Sequence, residues 1–189
     1  STYTMTIDVT AVNDAPTAAD NTVTTNEDTD HTFSESEFGF SDVDGDSLDH
    51  VSIETLPSNG TLLLDGVAVT LGQDIPAADI SNLVFRPAAD ANGASYDTFT
   101  FSVNDGTTDS ASTYTMTIDV TAVNDAPTAV DDTDSVTAGG TVTDTTNVGT
   151  GTVVSDDSDV DGDTLTVSGT VTQGLSLIHI SEPTRLSTI

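Results

Sequence analysis

The stretch YTMTIDVTAVNDAP at residues 114–127 decides how this chain is read. Tyr114, Met116, Ile118 and Val120 alternate with Thr115, Thr117 and Asp119, a period of two that puts one apolar row on one face of a half-buried β-strand. The segment Val123-Asn124-Asp125-Ala126-Pro127 ends that alternation, because proline donates no backbone hydrogen bond and stiffens the chain. The same letters stand near the start. Residues 1–18, STYTMTIDVTAVNDAPTA, recur unchanged at residues 112–129, an offset of 111. A period of that size is one all-β sandwich domain long. Residues 1–14 are therefore expected to be the last strand of a preceding repeat, with Tyr3, Met5, Ile7 and Val9 half-buried. Residues 15–123 are expected to be one complete repeat and 124–174 a truncated one. The chain opens on Ser1 inside a strand pattern, so it reads as a piece of something longer.

Between the two copies, 48–56 reads as a strand, Asn59-Gly60 as a turn, and 61–64 with 67–71 as a hairpin about Asp65-Gly66. Residues 83–85 and the Phe99, Phe101, Val103 alternation supply further strands. Residues 35–40 and 76–80 look like single helical turns, and no amphipathic segment is long enough for a stable helix. Seven or eight strands suit a Greek-key sandwich.

Composition narrows the function. The 189 residues carry 32 acids against 2 arginines and no lysine, a formal charge of −30 with a pI near 4.1. Nucleic acid and anionic membrane surfaces are therefore poor partners. No run approaches the ~20 apolar residues that cross a bilayer, so no membrane insertion is expected. Absence of cysteine removes disulfides, thiolate zinc sites and thiol nucleophiles together, which leaves a metal as the staple for an exported domain. The acids comprise 27 Asp and only 5 Glu, beside 36 Thr, a composition for turns, metal loops and strands rather than helices.

Asp42, Asp44 and Asp46 occupy alternate positions with Gly45 between, just before a strand, which points three carboxylates toward one place. That suits a hard cation such as calcium, which takes six to eight oxygens at ~2.3–2.6 Å. It is not an EF-hand, since positions 6 and 12 counted from Asp42 hold Ser47 and Ile53. The motif returns as Asp159, Asp161 and Asp163, offset by 117. An Asp-Gly turn with solvated acids is the plain alternative. A second set of candidates comprises Asn13 with Asp14, Asn124 with Asp125, Glu27 with Asp28, and Asn104 with Asp105; each alone also reads as a turn or cap.

Six motifs fall in one order: the NDAP linker, NEDT at 26–29, DVDGD at 42–46, FRPAADANG at 85–93, FTFSVNDG at 99–106, and YTMTIDVTAVNDAP. Together they resemble the cadherin-like tandem repeats, with the related VCBS repeats, of very large secreted bacterial adhesins of the RTX type. The resemblance covers nearly all of residues 1–123 and turns VCBS-like after 129. It implies an Ig/cadherin-like Greek-key sandwich that binds calcium, leaves the cell by type I secretion, folds outside it, and serves as an extender in cell adhesion or biofilm. The partners it implies are neighbouring repeats of the same chain and, through other domains, cell-surface glycans or proteins. By likeness to cadherin junctions, Asn124 and Asp125 would share calcium with Glu27 and with acids near a domain end, including Asp105. The second repeat has Ala138-Gly139-Gly140 where the first has Asn26-Glu27-Asp28, so its junction is expected to hold less calcium or none.

An enzyme is disfavoured: His31 and His50 are the only histidines before the last fifteen residues, and no G-x-S-x-G or H-E-x-x-H motif occurs. Arg86 is expected to pair with a nearby acid, and Asn59-Gly60-Thr61 fits a glycosylation sequon less well than a turn. A carbohydrate- or cell-surface-binding sandwich is the competing reading, which an exposed row of aromatics would favour.

Residues 175–189, LSLIHISEPTRLSTI, break with everything before them and resemble the in-frame translation of a sequencing-library transposon adapter. The native product is then expected to stop at Gly174. A single long read of the locus that carries these codons inside a contiguous gene contradicts that reading.

Overall fold

A computed structural model describes residues 1–130 and 157–166 of the chain. Two compact units form, Ser1–Val123 and Asn124–Ile189. The first is a two-sheet sandwich built from β1 (Asn21–Asn26), β2 (His31–Thr32), β3 (His50–Ile53), β4 (Gly60–Leu64), β5 (Val67–Ala68), β6 (Asp74–Pro76), β7 (Leu83–Pro87), β8 (Gly93–Asn104) and β9 (Tyr114–Thr121). One sheet has the order β1-β9-β8-β3-β6 and the other β2-β7-β4-β5. Single 3₁₀ segments, Glu35–Phe38 and Ala77–Asn82, cross between the sheets. Both lie where the sequence places helical turns.

The period-two reading of β9 holds in the structure. Met116, Ile118 and Val120 are buried, while β9 pairs with β8 antiparallel on one side and with β1 parallel on the other. The inward rows of β8 and β3 supply Phe99, Phe101, Val103, Val51 and Ile53, and the second sheet answers with Leu62, Leu83 and Phe85. Phe33 and Phe38 fill the gap between the sheets, edge-on to Phe99 and Phe101 with ring centroids 5.7 and 5.0 Å apart. Such aromatic pairs add ~0.5–1.5 kcal/mol each beyond the area they bury.

Several elements differ from the sequence reading. The strand expected over 48–56 is limited to β3, and the second arm of the 67–71 hairpin stops at Ala68, leaving Leu71 exposed. Gly60 is not a turn residue but the first of β4. A side chain there would stand 2.3 Å from the Phe85 ring and 2.7 Å from the Arg86 carbonyl, so glycine is needed for close approach. β1, β2 and β6 escape notice because they are short or polar, and only their place beside longer strands makes them strands. The alternating segment that contains Tyr3 to Val9 forms no strand: among the described residues nothing pairs with it, and a strand without a partner sheet cannot bury its apolar row.

A buried carboxylate holds the approach to β4. Asp97 Oδ1 accepts the Ser58 and Thr98 N–H groups at 3.0 and 2.9 Å, and Oδ2 accepts those of Asn59 and Gly60 at 2.7 and 2.9 Å. The Asn59 side-chain amide donates to the Tyr96 carbonyl at 2.9 Å, which fixes the bend at Ser58 and Asn59 that leads into β4. Arg86 pairs with Asp30 through two bonds of 2.8 and 2.6 Å, also as expected.

Candidate functional site

The loop before β3 curls on itself. Asp42 Oδ1 accepts the N–H groups of Asp44 at 2.8 Å and Asp46 at 3.1 Å, an arrangement open to aspartate because its side chain reaches its own backbone two residues on. Gly45 takes φ +85°, a left-handed turn that L side chains rarely adopt. Asp42, Asp44 and Asp46 thereby bring one carboxylate oxygen each within 4.8 Å of the others. Asp42 Oδ2 is buried and has no hydrogen-bond partner. Like charges at 4 Å repel by ~1 kcal/mol in water and ~4 kcal/mol at an effective dielectric of 20, so the cluster works against its own loop unless a cation joins it. The donors are all oxygens and acceptor-only, which matches a hard divalent ion rather than a transition metal.

The residues that lead into the domain are tied to the same loop. Asp14 N–H donates to Asp44 Oδ2 at 2.7 Å, and Thr17 and Ser41 exchange two backbone bonds of 2.8 Å. The Asn13 side-chain amide donates to Asp105 Oδ2 at 2.9 Å, while Asp105 Oδ1 accepts the N–H groups of Thr107 and Thr108 at 2.7 Å each. The Asn13 amide foremost, followed by the Thr108 and Thr107 N–H groups, holds the Asp105 carboxyl below the ordinary value of 3.8 against an opposing effect of burial. A depressed folded-state pKa means that this tie is at full strength above the unfolded-state value and weakens as pH falls through the lower folded one. Asn13→Ala is expected to move the Asp105 titration midpoint up toward 3.8, read by carboxyl NMR; an unmoved midpoint contradicts the assignment.

The second unit repeats the construction on its own residues. Asp125 N–H donates to Asp161 Oδ2 at 2.7 Å, Asp163 N–H donates to Asp159 Oδ1 at 3.2 Å, and Thr128 pairs with Ser158 as Thr17 does with Ser41. The Asn124 amide donates to the Asp125 carbonyl at 3.0 Å, as the Asn13 amide does to the Asp14 carbonyl. Gly162 takes φ +75° where Gly45 takes +85°. Asp159 Oδ2, like Asp42 Oδ2, is buried without a hydrogen-bond partner. The Ala138-Gly139-Gly140 segment lies outside the described residues, as do residues 175–189.

Other candidates also make contacts within the fold. Glu27 is buried, with Oε2 accepting the Asn92 amide at 2.9 Å and Oε1 accepting the Val123 N–H, so it fastens the end of the last strand. Asp28 sits at φ +55° and accepts the Asp90 N–H at 3.2 Å. Asn104 donates to Asp109 Oδ1 and accepts the Gly106 N–H, both at 2.6 Å, closing the turn after β8. The expected sharing of one ion by Glu27 and Asp105 fails. Glu27 bonds to Thr121 at one end of β9, whereas Asp105 follows β8 beyond the Tyr114 end. An eight-residue strand, roughly 26 Å long, separates those ends. Sequence spacing did not show this, because the residues that cap the two ends of a sheet look alike in one dimension. Ser41 and Thr17 were missed as the bridge that docks the linker, since neither carries a motif of its own.

No curated protein and no solved structure matches the chain. The bacterial Ig domain family matches residues 13–121, from the asparagine that reaches Asp105 to the last residue of β9. Ig-like β-sandwiches are typically non-catalytic, and bacterial Ig domains fit modules of extracellular surface proteins. Two packed sheets around one aromatic core, with a family match that covers more than half of the sequence, place this chain in the bacterial Ig domain family.

Proposed function

We propose that the chain is a calcium-binding extender of a large bacterial adhesin, secreted to the cell surface, in which bound calcium stiffens each domain and the linker that enters it. The observation that carries this is the twice-built loop, in which Asp42 and Asp159 each fold one carboxylate oxygen into the turn and leave the other buried without a proton donor. Asp42, Asp44 and Asp46 would hold the ion in the first unit, and Asp159, Asp161 and Asp163 in the second. Calcium supplies there the positive charge that lets converging carboxylates fold together. Asp44 and Asp161 also accept the linker N–H groups of Asp14 and Asp125, so ordering the loop orders the chain leading into it. The partners on this reading are neighbouring repeats of the same chain and, through other domains, surface glycans or proteins.

Binding adds stability by mass action, ~2.7 kcal/mol per site at a hundredfold excess over the dissociation constant. Extracellular calcium modules bind at ~10⁻⁴–10⁻³ M, so the domain would be soft inside a cell and firm outside. Thermal melting in millimolar calcium is expected to raise the midpoint of the full chain by several degrees over chelator. Magnesium should give less, and Asp42→Asn or Asp44→Ala should remove most of the first unit's share. Equal midpoints in calcium and chelator defeat the reading. The sugar-binding alternative finds no row of exposed aromatics: Phe33, Phe38, Phe85, Phe99 and Phe101 are core residues, Phe40, Tyr96 and Tyr114 pack against that core, and Tyr3 alone is exposed.

A further inference from the structure

We propose that the parallel pair β1 and β9 is the element through which the domain carries tension: pulled from its two ends, the chain loads this ladder in shear. The proposal rests on the extender reading only for the source of the load. β1 and β9 run side by side in one direction, from the pair Asn21↔Met116 to the pair Asn26↔Thr121. β1 is the first strand of the domain and β9 the last. The chain therefore enters the ladder at its Asn21 end and leaves it at its Thr121 end. Tension on the residues before β1 and after β9 draws the two strands past each other along their length.

Direction decides how such a ladder yields. The bonds of a parallel pair are evenly spaced, and sliding one strand past the other strains all of them together, over a length of roughly 20 Å. Opening the same pair from one end breaks them one after another. Sliding also drags Val23, buried on β1, past the buried row of Met116, Ile118 and Val120, in a core where close packing resists displacement.

Carboxylates close the ladder at both ends. Asp20, immediately before β1, accepts the Thr115 N–H at 2.7 Å. Glu27, immediately after β1, accepts the Val123 N–H and donates its own N–H to the Thr121 carbonyl at 2.9 Å. Strands open most readily where their ends fray, and both ends of this ladder are tied. Ahead of Asp20, load meets the ties of Asn13 to Asp105, Asp14 to Asp44 and Thr17 to Ser41. These hand part of it to the end of β8 and to the loop before β3.

Single-molecule force spectroscopy on the full chain tests this, with handles on introduced cysteines, since the chain has none of its own. Ala11→Cys with Val123→Cys, both at exposed positions, loads the domain lengthwise. Ala11→Cys with Thr113→Cys, also exposed, places both handles at the end where β9 begins and peels the ladder open. At one pulling speed the lengthwise pair is expected to unfold at about twice the force or more, because forced unfolding follows the barrier and not the equilibrium stability. Val23→Ala should lower the lengthwise force more than Leu62→Ala does, although Leu62→Ala, on β4 in the other sheet, empties the larger core site. Both measurements are made in calcium and in chelator. A direction dependence that persists in chelator supports the ladder even where the calcium reading fails. Equal force in the two directions, or a larger lengthwise loss for Leu62→Ala than for Val23→Ala, overturns the proposal whatever calcium does.

Discussion

Phe101→Ala is expected to destabilise the sandwich by about 3–5 kcal/mol, the usual loss for emptying a fully buried phenylalanine site. The ring lies at the crossing of both sheets' contents: edge-on to Phe38 at 5.0 Å and tilted against Tyr114 at 5.9 Å and Phe99 at 6.3 Å. Its strand pairs with β3 on one side and β9 on the other, so the backbone around the cavity is held and collapses only partly. Against a total stability of about 5–15 kcal/mol, such a loss leaves a marginal domain. Urea denaturation at one fixed calcium concentration measures it, since bound ligand shifts the apparent stability. Tyr3→Ala, at an exposed aromatic, should change the same quantity by less than about 0.5 kcal/mol. Comparable losses at the two positions would mean that the core is not where the fold places it.

Asp97→Ala should come second, at about 3 kcal/mol. The substitution strips the acceptor from four backbone N–H groups, those of Ser58, Asn59, Gly60 and Thr98. A buried donor left without a partner costs ~1–3 kcal/mol, and water entering the gap recovers part of the total. Asp97→Asn is expected to be nearly as damaging, because its amide nitrogen brings further donors to a place already filled with them. Amide hydrogen exchange at Asn59 and Gly60 should accelerate in both variants well before the core amides of β9 do. If the Asn59 and Gly60 amides keep their protection in Asp97→Ala, this carboxylate does not hold the turn.

Much of this was legible in one dimension. Alternation over 114–120 gave a strand and its inward row, because a period of two survives any register. DVDGD announced a loop of converging carboxylates, since aspartate spacing alone determines that Asp42 can accept the N–H of Asp44 and Asp46. What alternation could not say is whether a partner exists: Tyr3 to Val9 has the same letters as β9 and no sheet, because pairing is a property of the surroundings. Asp97 went unremarked for a related reason. Asp97 shares the parity of Phe99 and Phe101, so alternation puts it on the inward row, but nothing in the sequence shows that its carboxylate meets the Ser58, Asn59 and Gly60 N–H groups. Glu27 reads as a ligand in the sequence and also serves as a clasp in the fold, since a carboxylate meets N–H groups and calcium with the same oxygens.

Calorimetric titration of the full chain with calcium, repeated on the Asp42→Asn, Asp159→Asn double variant, tests the central claim most directly. The account predicts saturable binding in the ~10⁻⁴–10⁻³ M range typical of extracellular calcium modules, with at least one site per loop lost in the double variant and the fold retained by circular dichroism. Absence of saturable heat in the unsubstituted chain, or binding that the double variant leaves intact, would contradict it and leave an acidic sandwich whose carboxylates serve its turns.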